Sequence, residues 1–144
     1  MATPRSKPNP QRQALVQQAV NTSPYYRHIR MALTEFTDQG SKLEMEVKPE
    51  HKNLWGTVHG GALASLVDSA CGLATVGFLA ENEGVVTLNL QVLYFAPVTQ
   101  GKLTAYGKVV HRGRTTIATE AEVFDEQGTL VAKGGTIHYI KVRA

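Results

Sequence analysis

Cysteine is almost missing from the chain. Cys71 stands alone, which excludes an intrachain disulfide. It lies inside an apolar run and reads as core packing. No apolar stretch near the N-terminus resembles a signal peptide, so a reducing, cytoplasmic setting is expected. Charge of one sign is also scarce. The formal net charge is a mild +3, and several of the basic residues sit in the first and last dozen positions, which gives no argument for nucleic acid. It does suit an anionic small ligand. Ser65 is not in a G-x-S-x-G setting, which argues against a serine hydrolase. His28, His51 and His138 have no partner at metal-ligand spacing, so they read as surface or strand residues, and no metal or cofactor is expected. Internal repeats and low-complexity tracts are absent.

What remains is the composition of one soluble globular domain, 42% hydrophobic and 19% charged over 144 residues, long enough for a real core. Residues 1–9 are polar and Pro-rich and are expected to form a flexible arm; residues 10–144 form the domain. Gln11 to Val20 reads as a short amphipathic helix, ended by Asn21-Thr22-Ser23-Pro24. Arg30 to Thr37 and Lys42 to Val47 read as strands around the turn Asp38-Gln39-Gly40. Val85 to Phe95, Leu103 to Val110, Thr115 to Phe124 and Thr129 to Val142 read as four more, the last three joined by hairpin-like links at 111–114 and 125–128.

Between the two groups of strands runs Asn53 to Ala80, NLWGTVHGGALASLVDSACGLATVGFLA. It reads as a helix from Gly60 or Gly61, about twenty residues and roughly 30 Å long. The residues within about 60° of Asp68 are Gly61, Ala64, Ser65, Cys71, Gly72 and Thr75. Leu63, Leu66, Ala70 and Leu73 lie opposite. One face is built to bury; the small-residue face allows a ligand, a partner backbone or a second subunit to come close. Length alone permits a membrane span, but Asp68, the glycines and the lack of Lys or Arg flanks argue against it. A carboxylate in so apolar a run is costly unless paired, so Asp68 is either a functional acid or a structural one bonded to backbone.

Grouped strands around one long helix imply an α+β domain with an antiparallel sheet wrapped round that helix. Such a sheet leaves edges and part of the helix bare, which pairing with a second copy would cover.

The pattern Asn53-x-x-Gly56-x-x-His59-Gly60-Gly61, followed by Leu66-Val67-Asp68, resembles the signature of the hotdog-fold acyl-CoA thioesterases, in particular the phenylacetate-degradation type. Val85-Val86-Thr87-Leu88-Asn89-Leu90 through Phe95-Ala96-Pro97 is similar too, as are His111-Arg112-Gly113-Arg114 and Phe124-Asp125-x-x-Gly128. The likeness spans roughly residues 25–142. It implies metal-free hydrolysis of an aryl- or medium-chain acyl-CoA to the acid and CoA. Asp68 matches the acid that activates water or attacks as nucleophile, and the Gly60 N–H matches the donor to the carbonyl oxygen. Asn53 matches a side chain that places carbonyl or water, His59 one that orients the site or assists the leaving thiolate, and Thr87 one that holds the water. Gly61, Asn89, Arg112, Gly113 and Arg114 fall at substrate-contacting positions, with Arg112 and Arg114 either meeting CoA phosphates or forming a solvated hairpin tip. Asn53 has a second reading as a turn cap, and His59 as a helix-start residue bonded to backbone.

Gly60 and Asp68 are eight residues apart, about 12 Å along one helix, too far to serve one carbon from one chain. The resemblance implies a site shared in a homodimer, Asn53 and Gly60 from one chain and Asp68 from the other, with dimers pairing into a tetramer. The alternatives are a non-catalytic acyl-CoA-binding module and a hotdog hydratase or dehydratase.

Overall fold

A computed structural model describes residues 10–37 and 39–143; the proposed N-terminal arm, Asp38 of the first turn and Ala144 lie outside them. Two short helices, α1 (Pro10–Asn21) and α2 (Pro24–Ile29), lead into strands β1 (Met31–Thr37) and β2 (Gly40–Glu46). A 3-10 turn at Pro49–His51 precedes the long helix α3 (Gly60–Ala74). Strands β3 (Glu83–Tyr94), β4 (Lys102–Arg112), β5 (Thr116–Phe124) and β6 (Leu130–Val142) complete the chain. All six strands join one sheet in the order β1-β2-β4-β5-β6-β3, antiparallel throughout. This is the hotdog arrangement that the sequence leads one to expect.

Period-two burial decides which way the sheet faces. In β5, Ile117, Thr119, Ala121 and Val123 point inward and their neighbours outward. Leu103 and Ala105 of β4 join them beneath Leu66, Val67 and Ala70 of α3, all fully buried. The helix lies so close to the sheet that a side chain is not tolerated at Gly107. A Cβ built there would sit 2.1 Å from the Ala70 carbonyl oxygen. The Ser41 hydroxyl donates to that same oxygen at 2.6 Å.

Three features depart from the sequence reading. The central helix has 15 residues rather than about twenty, and a 3-10 turn, Val76–Phe78, continues it. Thr75 ends it by donating its hydroxyl to Gly72 O at 2.6 Å, a back-bond that competes with further α-helical turns. Cys71 and Thr75 are buried against the sheet rather than on the open face, while Leu73 is partly exposed; the open stripe is Gly61, Ala64, Ser65, Asp68, Ser69 and Gly72. The six-residue α2 is an element the sequence reading missed. Its Tyr25 hydroxyl bonds Ser65, so α2 flanks part of that open stripe.

Gly107→Ala is expected to lower stability by about 1–3 kcal/mol, because the helix must lift off the sheet to admit the methyl group. An unchanged denaturation midpoint would contradict the close approach.

Candidate active site

The loop before α3 is organised by Asn53. Its Oδ1 accepts from the N–H groups of Trp55 and Thr57 at 2.9 and 3.2 Å, and its Nδ2 donates to Thr57 Oγ1 at 2.8 Å. That is an Asx-type turn, and it holds Leu54 and Trp55 outward, 95% and 84% exposed. His59 is the N-cap of α3: its Nδ1 accepts from the Gly61 N–H at 2.8 Å. In the neutral ring, Nε2 then carries the proton. The Gly61 amide is thus consumed by the cap, and a Cβ at Gly61 would lie 3.0 Å from that Nδ1. The Gly60 amide belongs to the first turn, where backbone donors have no partner within the helix, and the helix dipole is positive there. Tyr94 of β3 donates to Gly60 O at 2.9 Å and forms, with Val58, Leu63 and Phe95, a hollow of about 300 Å³ beside this helix end.

Two turns along the helix, Asp68 opens into a separate cavity of about 290 Å³, whose walls include Tyr26, Gly72, Thr87, His138 and Arg143. The Thr87 hydroxyl donates to Asp68 Oδ1 at 2.9 Å. Burial raises the pKa of Tyr26, a rise offset in part by a hydrogen bond with Ser69 and assisted by the Asp68 charge. Burial likewise pushes the Cys71 thiol up to about 11, so the thiolate is suppressed at neutral pH.

His138 is the residue that sequence reasoning missed. It does stand on a strand, but it is 2% exposed and directed at this cavity. Its Nδ1 lies 3.4 Å from Thr87 Oγ1 and its Nε2 2.6 Å from Thr136 Oγ1. Burial lowers its pKa and the Asp68 charge acts the other way. Its alternation with exposed Ile137 and Tyr139 is the one signal that marks it as inward-facing. His51 is also buried rather than on the surface. It accepts from Lys48 N at 2.9 Å and meets Ile29 O at 2.6 Å, pinning the approach to α3, whereas His28 is exposed on α2.

Two residues expected at substrate-contacting positions stand apart from the Asp68 cavity of their own chain. Asn89 and Thr87, two apart, would share a face in a regular strand. The ladder slips between them, so Thr87 pairs with buried His138 and Asn89 with exposed Ile137. Asn89 therefore lies on the outer face, away from Asp68. Arg112 is spent internally: its guanidinium donates to Phe78 O at 3.2 Å and to Gly113 O, and it pairs with Glu83 at 3.4 Å, both side chains largely buried. Gly113 closes the hairpin by donating to Thr116 O. Arg114 is exposed at the tip. Among the described residues, no group of three or more His, Cys, Asp or Glu stands ready to hold a metal ion.

The single chain thus brings Asp68, Thr87 and His138 together at one point and Asn53, His59, Gly60 and Gly61 at another. The first set can accept a proton; the second can donate hydrogen bonds to a developing oxyanion.

Comparison with known proteins gives consistent results. The sequence pattern of the family described as the thioesterase superfamily matches residues 55–132. A relative from Saccharolobus solfataricus, an esterase by name, is 35% identical over 100 residues, 68% of this chain and 69% of that protein. A solved protein of the thioesterase superfamily is 32% identical and superposes with a TM-score of 0.81 over 90% of this chain and 98% of its own. A thioesterase of Haemophilus influenzae, 21% identical, shares the fold with a TM-score of 0.83 over 88% of each chain.

The two hairpin arginines should part company on substitution. Arg112→Lys cannot reproduce three separate donations and is expected to lower thermal stability measurably, by about 1–3 kcal/mol. Arg114→Ala should stay within about 0.5 kcal/mol of wild type. Equal stability of both variants would refute the clamp.

Proposed function

Because the chain belongs to the thioesterase superfamily and has its hotdog fold, we propose that it hydrolyses an aryl- or medium-chain acyl-CoA, releasing the acid and CoA at a site shared by two subunits. The observation that carries this reading is the Thr87–Asp68 bond. It fixes one carboxylate oxygen and leaves the other free toward the cavity. Asp68 takes a proton from water as the water oxygen attacks the thioester carbon. The carbonyl oxygen gains negative charge and receives a hydrogen bond from the Gly60 N–H of the partner, at the positive end of that helix. Collapse breaks the C–S bond, and the thiolate leaves with the proton that Asp68 accepted. Asn53 contributes by shaping the loop that presents His59 and Gly60, and Arg114 is the basic residue left exposed for the CoA phosphates.

Strand β3 supports the shared site. It is an unpaired edge twelve residues long, with Leu88 and Leu93 exposed, and bare edges of this kind invite pairing. Thr87, beside Asp68, sits toward one end and Tyr94, beside Gly60, at the other. Antiparallel pairing of two β3 strands about a two-fold axis near Leu90 and Gln91 brings each Asp68 toward the other chain's Gly60. Two such dimers would form the tetramer.

Thiol release from a panel of acyl-CoAs tests the reaction. Asp68→Asn is expected to lose at least about a hundredfold in turnover while keeping the fold. Full activity in that variant would sink the mechanism. No release by wild type, with hydration of an enoyl thioester or saturable binding alone, would assign a hydratase or a binding module instead. The shared site has its own test. Inactive Asp68→Asn and weakened Asn53→Ala chains, mixed and allowed to exchange, should recover about a quarter of wild-type activity, since half the dimers are mixed and each holds one intact site. A site within one chain predicts no recovery.

A further inference from the structure

A buried histidine with both ring nitrogens engaged is expensive to keep unless its protons have assigned places. Those places can be deduced here from Asp68 outward. An ionised carboxylate only accepts, so Thr87 Oγ1 must be the donor in its 2.9 Å bond to Asp68 Oδ1. A hydroxyl has one proton. In its 3.4 Å contact with His138 Nδ1, Thr87 therefore has only lone pairs to offer, and Nδ1 must carry the hydrogen. Burial favours the neutral ring, which leaves Nε2 bare. Nε2 then accepts from the Thr136 hydroxyl at 2.6 Å, and Thr136 accepts from Thr119. Every link points the same way, from Thr119 on β5 through Thr136 and His138 on β6 and Thr87 on β3 to Asp68 on α3. Aligned donors of this kind polarise one another.

We propose that His138 is a positioning residue for Asp68: as the Nδ1–H tautomer it donates to Thr87 and so commits the Thr87 proton to the carboxylate. The opposite tautomer sets two lone pairs against each other, or turns Thr87 toward His138 and leaves Asp68 Oδ1 without its donor. The histidine thereby fixes which carboxylate oxygen is held and which faces the cavity. Other groups facing the pair do not confuse its titration. Tyr26 on α2 and Cys71 on α3 are both held neutral by burial, and the Arg143 guanidinium, after β6, lines the same cavity. This proposal rests on the reading of Asp68 as the reacting base, and its first test does not.

Imidazole 15N spectra of the labelled wild-type protein read the tautomer without any turnover. His138 is expected to be protonated at Nδ1 and bare at Nε2 near neutral pH. The Nε2–H tautomer, or an imidazolium, overturns the proposal even if the protein is an excellent thioesterase. If wild type releases no thiol, the functional reading falls while the spectrum still decides the role of His138. With activity in hand, two variants divide positioning from packing. His138→Asn sets an amide N–H where Nδ1–H stood, and is expected to keep turnover within a few-fold with the acid limb of the rate profile unmoved. His138→Leu fills the space without the donor, and is expected to lose about ten- to a hundredfold in kcat with KM little changed, the acid limb moving to higher pH. Thr87→Val, which removes the donor itself, should lose at least as much, and the double variant should be no worse than Thr87→Val alone, because His138 acts on Asp68 only through Thr87. Equal losses in the Asn and Leu variants with unmoved limbs would reduce His138 to a packing residue.

Discussion

At Ala70 the backbone of α3 meets the sheet directly, while Leu66 and Val67 beside it pack on strand side chains. The Ala70 carbonyl meets the Ser41 hydroxyl and the bare Cα of Gly107, and this contact sets the height of the helix above the strands. Gly134 also admits no side chain, for a different reason: a Cβ there would fall 2.3 Å from Gln91 O of the neighbouring strand β3 and 2.8 Å from the Val67 side chain. With the helix seated this low, a side chain as short as aspartate reaches the hydroxyl of a strand residue. A helix on a cushion of leucines would stand at the ordinary interaxial distance and Asp68 would find no partner on β3. Ser41 and Gly107 under the helix therefore set the height from which Asp68 reaches the sheet.

Rigidity is distributed unevenly in consequence. The acid's side of the site is part of the core, tied through four side chains to three strands. The amide-donating side hangs from a turn whose main ties are Asn53, the His59 cap and the bridge of His51 between α2 and the loop. Among the described residues no buried side-chain nitrogen or oxygen lacks a partner, so the polar groups near Asp68 are bonded rather than stranded.

What could be read from the sequence was what is local in sequence. The strands, the long helix and the Asn53, His59-Gly60-Gly61 and Asp68 constellation all announce themselves through period, turn chemistry or fixed spacing. The dual nature of Asn53 and His59 was also legible, since an Asx turn and an N-cap are short-range structures, and both are present. Contacts made through strand pairing were not. His138 reaches Asp68 only because β6 lies beside β3, and nothing within several residues of His138 points to a carboxylate 70 positions earlier. Arg112 finds Glu83 and Phe78 in the same non-local way. The short α2 escaped for a different reason: six residues opening on proline are too few for a period to show. The length of α3 was overestimated because hydrophobicity continues past Thr75 while the hydrogen-bonding pattern does not.

The slipped register at Leu88 turns β3 into a strand with two parities. Before it, odd-numbered residues look toward the helix; after it, even-numbered ones do, as Leu90 opposite Thr136 and Tyr94 opposite Ala132 show. The extra residue works like an inserted base in a coding sequence: the ladder resumes beyond it, and the meaning of everything downstream is changed. Gain or loss of one residue here would exchange the inner and outer vocabularies of a whole half-strand at once. Variation among proteins built on this plan can thus swap a set of inward side chains for an outward set in a single event, with every strand still paired to its neighbour.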